Sequence, residues 1–128
     1  MQIDHIAIWV NDLELEKEFY LKYFDCTVNE KYINSAKQFS SYFISFAEGS
    51  RIELMNHRDI KVKINSGHSP GLTHLAIDVG NRDLVDQLTG KLSRDGHKVI
   101  SSPRITGDGY YESIILDPEG NRIEIFSA

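Results

Sequence analysis

Residues 4–10 read Asp4-His5-Ile6-Ala7-Ile8-Trp9-Val10, and residues 73–79 read Thr73-His74-Leu75-Ala76-Ile77-Asp78-Val79. Four of these seven positions are identical, at an offset of 74 − 5 = 69. A second phrase also recurs. Arg51-Ile52-Glu53-Leu54 returns as Arg122-Ile123-Glu124-Ile125, at an offset of 124 − 53 = 71. Two offsets that differ by only two residues describe one unit of half the chain, present twice. Each copy opens on a His-bearing segment and closes on a Glu-bearing one.

The opening segments are short, alternate apolar with other residues and carry β-branched side chains, so both read as strands. A helix is expected after each. In the first copy Asn11 is the expected cap, with Glu14 three residues on, ahead of Leu13, Phe19, Tyr20, Tyr23 and Phe24. In the second, Asn81 or Asp83 caps a helix through Leu84, Val85, Leu88 and Leu92, and Gly96 stops it. Three strands then follow in each copy, at 27–33, 39–47 and 50–56, and at 97–101, 110–116 and 121–127. Glu48-Gly49 and Asp117-Pro118-Glu119-Gly120-Asn121 supply the last turns. The expected architecture is α+β: two paired βαβββ modules forming a cupped mixed sheet in one domain. Module 1 spans about 1–56, a polar linker about 57–71, and module 2 about 72–128.

Strand side chains alternate between faces. Ile6, Ile8 and Val10 share one face, and His5, Ala7 and Trp9 the other. By the same alternation Glu53 lies opposite Ile52 and Leu54, His74 opposite Leu75 and Ile77, and Glu124 opposite Ile123 and Ile125. The helices must cover the apolar faces, so His5, Glu53, His74 and Glu124 all point away from them. If the two sheets curl toward each other, two imidazoles and two carboxylates converge. That donor set suits one divalent metal of borderline hardness per site, Zn, Ni, Co, Mn or Fe. Taken singly, each of these residues is an ordinary exposed polar side chain. Their matched retention in both copies, where Trp9 and Asp78 have diverged on the same face, is what singles them out.

Composition sets the bounds. The 128 residues are 41% hydrophobic and 26% charged, globular values that exclude a disordered or fibrous chain. Net charge is 14 − 19 = −5, with no extended basic cluster, so a nucleic-acid partner is not expected. No apolar run approaches the roughly 20 residues that span a bilayer, so no membrane partner is expected either. The first residues lack the basic and apolar regions of a secretory leader. A lone cysteine, Cys26, excludes an internal disulfide and suits a reducing cytoplasm.

The chain resembles the vicinal oxygen chelate superfamily, which includes glyoxalase I, methylmalonyl-CoA epimerases, extradiol dioxygenases and fosfomycin and bleomycin resistance proteins. The resemblance runs through Asp4-His5-Ile6-Ala7-Ile8, Arg51-Ile52-Glu53-Leu54-Met55, Thr73-His74-Leu75-Ala76-Ile77 and Asp117-Pro118-Glu119-Gly120-Asn121-Arg122-Ile123-Glu124. It implies paired βαβββ modules and a metal chelated by adjacent substrate oxygens. Three-ligand members match His5, His74 and Glu124. Glyoxalase I adds a fourth ligand that matches Glu53, so its His/Glu/His/Glu pattern is complete here, with Zn, Ni, Co or Mn implied. The implied reaction rearranges a hemithioacetal of an α-oxoaldehyde through a metal-stabilised enediolate, with Glu124 as base and Glu53 sharing proton transfer. Two other readings compete: a metal-free small-molecule binder of the resistance type, and an Fe(II) dioxygenase, which ranks below it because Glu53 would fill a position that oxygen and substrate need. Glutathione-using members carry Arg where this chain has Trp9, and basic residues near 106–111, where it has none. The thiol is therefore left open. Small members pair, so a homodimer acting on a small-molecule substrate is expected.

Further substrate-lining candidates are Trp9, on His5's face, Arg104 and Tyr110. The loop 103–109 is the expected lid. Cys26 reads as a packed thiol, and His57, His68 and His97 as loop residues.

Overall fold

Two amphipathic helices, each flanked by alternating strands, dictate how the chain folds. In the computed structural model, which describes residues 2–60, 72–107 and 109–128, it forms two compact units, Met1–Ser66 and Gly67–Ala128. The first contains β1 (His5–Trp9), α1 (Leu13–Tyr23), β2 (Thr27–Val28), β3 (Tyr32–Asn34), β4 (Phe39–Ser45) and β5 (Arg51–His57). The second contains β6 (Leu75–Asp78), α2 (Arg82–Arg94), β7 (Val99–Ile105), β8 (Tyr111–Leu116) and β9 (Arg122–Ser127).

In the first unit β1 pairs in parallel with β5, which pairs antiparallel with β4, and β4 carries β2 and β3 along its other edge. In the second, β6 pairs in parallel with β9, followed by antiparallel β8 and β7. The two units repeat the same βαβββ order. The strand expected at 27–33 is split by a bulge. Thr27 and Val28 pair with Ser45 and Ile44, but Tyr32 pairs with Ser41, so Asn29-Glu30-Lys31 faces only Tyr42-Phe43. The cause is Asn29, whose Oδ1 accepts the Phe43 N–H at 2.7 Å and takes over a ladder position. Residue 57, expected in the linker, instead ends β5, and residues 61–71 of that linker lie outside the described residues. Among the described residues no helix is long and apolar enough to cross a membrane.

Helix ends follow side-chain chemistry. The α1 cap is Asp12, not Asn11: its carboxylate accepts the Leu15 N–H at 2.9 Å. Asn81 caps α2 through Leu84 N–H at 3.0 Å. Gly96 takes φ +92°, and Gly96 and His97 donate to Ser93 and Leu92, closing α2 in a Schellman arrangement. Leu13, Phe19, Tyr20, Tyr23 and Phe24 are all buried against Ile44, Ile52 and Leu54 of their own unit's core. On α2 the buried face is Val85, Thr89 and Leu92, while Leu84 is exposed. Thr89 fits that face because its hydroxyl bonds Val85 O and Ser113 Oγ, both at 2.6 Å.

An ionic tie joins α1 to the sheet. Glu14 accepts from Lys31 Nζ at 2.8 Å, Lys17 Nζ at 3.0 Å and the Tyr42 hydroxyl at 3.1 Å. Lys31 foremost, then Lys17, draw its carboxyl from 4.5 down to about 2. A depressed carboxylate adds stability that is present above pH 4.5 and lost as pH falls through about 2. Glu14→Gln is expected to flatten that part of the acid-unfolding profile, read by circular dichroism between those limits. Leu54→Ala, which empties a fully buried position, is expected to cost about 2–5 kcal/mol in chemical denaturation.

Candidate functional site

Parallel pairing sets the candidate residues side by side. In the first unit Ala7 of β1 faces Glu53 of β5, and in the second Ala76 of β6 faces Glu124 of β9. Each histidine stands two residues before that alanine, hence on the same face and diagonal to its glutamate. The outcome is one His–Glu pair per unit. His5 Nε2 lies 3.6 Å from Glu53 Oε2, and His74 Nε2 lies 2.9 Å from Glu124 Oε2. The glutamate side chains are 15% and 16% exposed and the histidines 38% and 41%, so the carboxylates are sheltered while the imidazole edges stay open.

The two separations differ: His74 Nε2 and Glu124 Oε2 are in close ion-pair contact at 2.9 Å, whereas at 3.6 Å His5 Nε2 is beyond hydrogen-bond distance of Glu53. His5 instead places Nδ1 2.8 Å from Asp4 Oδ2, and the same oxygen receives Nη2 of Arg51. His5 foremost, and Arg51 after it, hold the Asp4 carboxyl below the usual carboxylate range. The Arg51 N–H also donates to the Asp4 carbonyl at 3.0 Å, and Ser50 Oγ to Ile3 O at 2.6 Å. The Arg51 guanidinium lies 4.3 Å over the Phe43 ring, and the His5 ring meets Phe43 edge-on at 5.2 Å. Asp4 and Arg51 are functional candidates that the sequence pattern alone does not single out. Their signal was the adjacency Asp4-His5 and the spacing Arg51-x-Glu53.

The donor chemistry fits a divalent cation. Both His–Glu separations are shorter than twice the roughly 2.0–2.2 Å that such donors keep from zinc, so one ion can touch both members of either pair. Among the described residues no group of three or more His, Cys, Asp or Glu side chains is gathered for a metal. What each unit assembles is a pair.

The other candidates occupy distinct places. Trp9 is 54% exposed and meets Phe39 and His57 edge-on, each at 6.3 Å, on His5's face. Arg104 belongs to β7, where Nη2 donates to Glu112 Oε1 at 3.3 Å and Nε to Ser101 Oγ at 3.2 Å. Its register partner Glu112 faces Phe126, so Arg104 shares the face of Glu124. Tyr110 meets Phe126 edge-on at 5.5 Å. The lid expected at 103–109 is shortened, because Pro103, Arg104 and Ile105 continue β7. Asp108 and His68 lie outside the described residues. His57 is a strand residue rather than a loop one, its Nδ1 accepting the Asp59 N–H at 3.1 Å. Cys26 packs with its thiol donating to Tyr20 O at 3.4 Å, and burial pushes that thiol up. In the Asp117 turn, Oδ1 accepts the N–H groups of Glu119 and Asn121, a structural role.

Comparison with known proteins agrees with this architecture. A family model described as Glyoxalase/Bleomycin resistance protein/Dioxygenase superfamily matches residues 2–125. An uncharacterized Bacillus subtilis protein, YqjT, is 25% identical over 127 residues, covering 94% of each chain. A glyoxylase/bleomycin resistance protein/dioxygenase domain from Frankia sp. EAN1pec superposes with a TM-score of 0.84 at 18% identity, over 100% of this chain and 98% of that one. Maize (Zea mays) glyoxalase I gives 0.79 at 20% identity, over 99% of this chain and 44% of that one. This chain thus spans less than half the maize enzyme's length. The trypanothione-dependent glyoxalase I of Leishmania major gives 0.79 at 19%, over 99% and 86%. Identities this low establish the fold.

Protein purified without chelator or metal-affinity resin is expected to carry about one Zn, Ni, Co or Mn per site. His5→Ala and Glu124→Ala are each expected to lose it, as read by elemental analysis.

Proposed function

The chain belongs to the Glyoxalase/Bleomycin resistance protein/Dioxygenase superfamily, and from that premise we propose that it is a metal-dependent lyase or isomerase of the glyoxalase I type. The substrate class is the hemithioacetal of an α-oxoaldehyde. The observation that carries this reading is the equivalent placement of two His–Glu pairs, His5 with Glu53 and His74 with Glu124, on the face of each sheet away from its helix. These four side chains would hold Zn, Ni, Co or Mn. When bound, the cation supplies electrostatic stabilisation to negative charge developing on two adjacent substrate oxygens.

The chain's own groups do the rest. Glu124 removes the proton from C1 of the hemithioacetal and a proton is returned at C2, giving the thioester of a 2-hydroxy acid. Glu53, the sheltered carboxylate of the other pair, shares the proton transfer. Trp9, Arg104 and Tyr110 are the residues proposed to contact the rest of the substrate. Arg104, tethered by Glu112 and Ser101 on Glu124's face, offers the positive charge suited to an acidic substituent. In this reading the two units act as one domain, a homodimer is the working form, and the compartment is the cytoplasm.

Two observations favour a second reading, a metal-free binder of a small planar molecule. His74 and Glu124 are closed on each other at 2.9 Å, and exposed Trp9 stands beside Phe39 and His57 as an aromatic wall. The separating experiment is turnover of methylglyoxal hemithioacetals made with several thiols, in wild type and Glu124→Gln. The amide is expected to retain metal and lose most turnover. Unchanged turnover removes Glu124 as the base, and wild-type protein with neither metal nor turnover favours the binder.

A further inference from the structure

We infer that Asp4, itself held by Arg51, is the positioning residue that fixes the His5 ring with its proton on Nδ1 and its Nε2 lone pair facing Glu53. The inference rests on the metal-dependent reading above, because the group so presented is a ligand. An imidazole bound through Nε2 must carry its proton on Nδ1, and an acceptor at Nδ1 sets that tautomer and the ring's orientation. Asp4 Oδ2 is that acceptor, 2.8 Å from Nδ1.

The carboxylate is placed from both sides. Its backbone carbonyl takes the Arg51 N–H at 3.0 Å, and its side chain takes the Arg51 guanidinium. Arg51 sits directly across the parallel ladder from His5 and lies against Phe43, the ring that also borders His5. Four side chains thus run in series from Arg51 through Asp4 and His5 to Glu53.

The second unit shows what happens without the carboxylate. Its equivalent of Asp4 is Thr73, which has none. There the imidazole closes on its own glutamate at 2.9 Å, whereas His5 stands off at 3.6 Å. A His5 ring whose proton is engaged by Asp4 has no Nε2 hydrogen to give Glu53, so both atoms remain available to a cation. The His74–Glu124 pair, in contact at 2.9 Å, must first open. Asp4 therefore makes the first unit the pre-organised half of the ligand set.

The test uses full-length protein and two readouts. Nitrogen-15 NMR of the metal-free protein, above the imidazole titration range, reports which nitrogen of each ring carries hydrogen. Chelator competition reports affinity for Co(II). In wild type, His5 is expected to show protonated Nδ1 and bare Nε2. Asp4→Ala is expected to remove the Nδ1 preference at His5, leave the His74 signals in place, and weaken Co(II) binding about 10-fold to 100-fold. Asp4→Asn, which keeps an acceptor oxygen, is expected to restore part of both. An unchanged His5 tautomer in Asp4→Ala overturns the inference, as does a changed tautomer with unchanged affinity. Joint movement of both rings also overturns it, since that is the mark of general disruption. Wild-type protein that shows the expected His5 tautomer but binds no Co(II) sinks the metal reading instead, and the ligand role of His5 with it.

Discussion

The parallel pairing of β1 with β5, repeated by β6 with β9, is the constraint on which the candidate site depends. Parallel neighbours cannot be joined by a tight hairpin, so each unit must send its chain over a helix and through the intervening strands before returning beside its first strand. That route brings together residues almost fifty apart in the chain. It also fixes their geometry, because partners in a parallel ladder share a face. A one-residue slip of β5 would carry Glu53 to the buried side with Ile52 and Leu54 and leave His5 without its carboxylate. The buried apolar alternation of Ile52 and Leu54 is what forbids the slip, so the core holds the site in register.

The two units solve the same problem with different partners. Duplication preserved the His, the Glu and the Arg-Ile-Glu frame, but not the residue before the histidine. Where Asp4 stands, the imidazole is held from behind by a carboxylate that an arginine also grips. Where Thr73 stands, the imidazole turns to its own glutamate. Arg122, the counterpart of Arg51, has no carboxylate at the equivalent of Asp4 to hold. Such divergence changes what each imidazole faces while leaving the strand, the register and the histidine itself in place.

Much of this was legible from residue patterns because the signals are local and periodic. Period-two alternation assigns each strand residue to a face without any long-range information, which is why His5, Glu53, His74 and Glu124 could be separated from the core. Gly96 and the Asp117-Pro118-Glu119-Gly120-Asn121 turn were equally plain, since positive φ and side-chain-to-backbone bonds are short-range chemistry. Misreadings arose where two adjacent residues compete for one role. Asn11 and Asp12 both can cap α1, and Asp12 is the one whose carboxylate accepts the Leu15 N–H. Leu84 and Val85 both can face inward, and the packing of α2 on its sheet selects Val85 while admitting Thr89 through its bond to Ser113. The bulge at Asn29 and the extension of β7 through Arg104 were hidden because each is set by a partner strand.

By itself the sequence determined the duplication, the βαβββ order, the faces of the strands and the identity of the His and Glu pairs. Only the tertiary structure decided that Asp4 reaches His5 Nδ1 and Arg51 together, that Arg104 is tethered to Glu112, and that the two His–Glu pairs stand at different separations. The physical reason is range. Alternation and turn chemistry act over a few neighbouring residues, whereas a hydrogen bond between Asp4 and Arg51 exists only once strands 47 residues apart lie side by side.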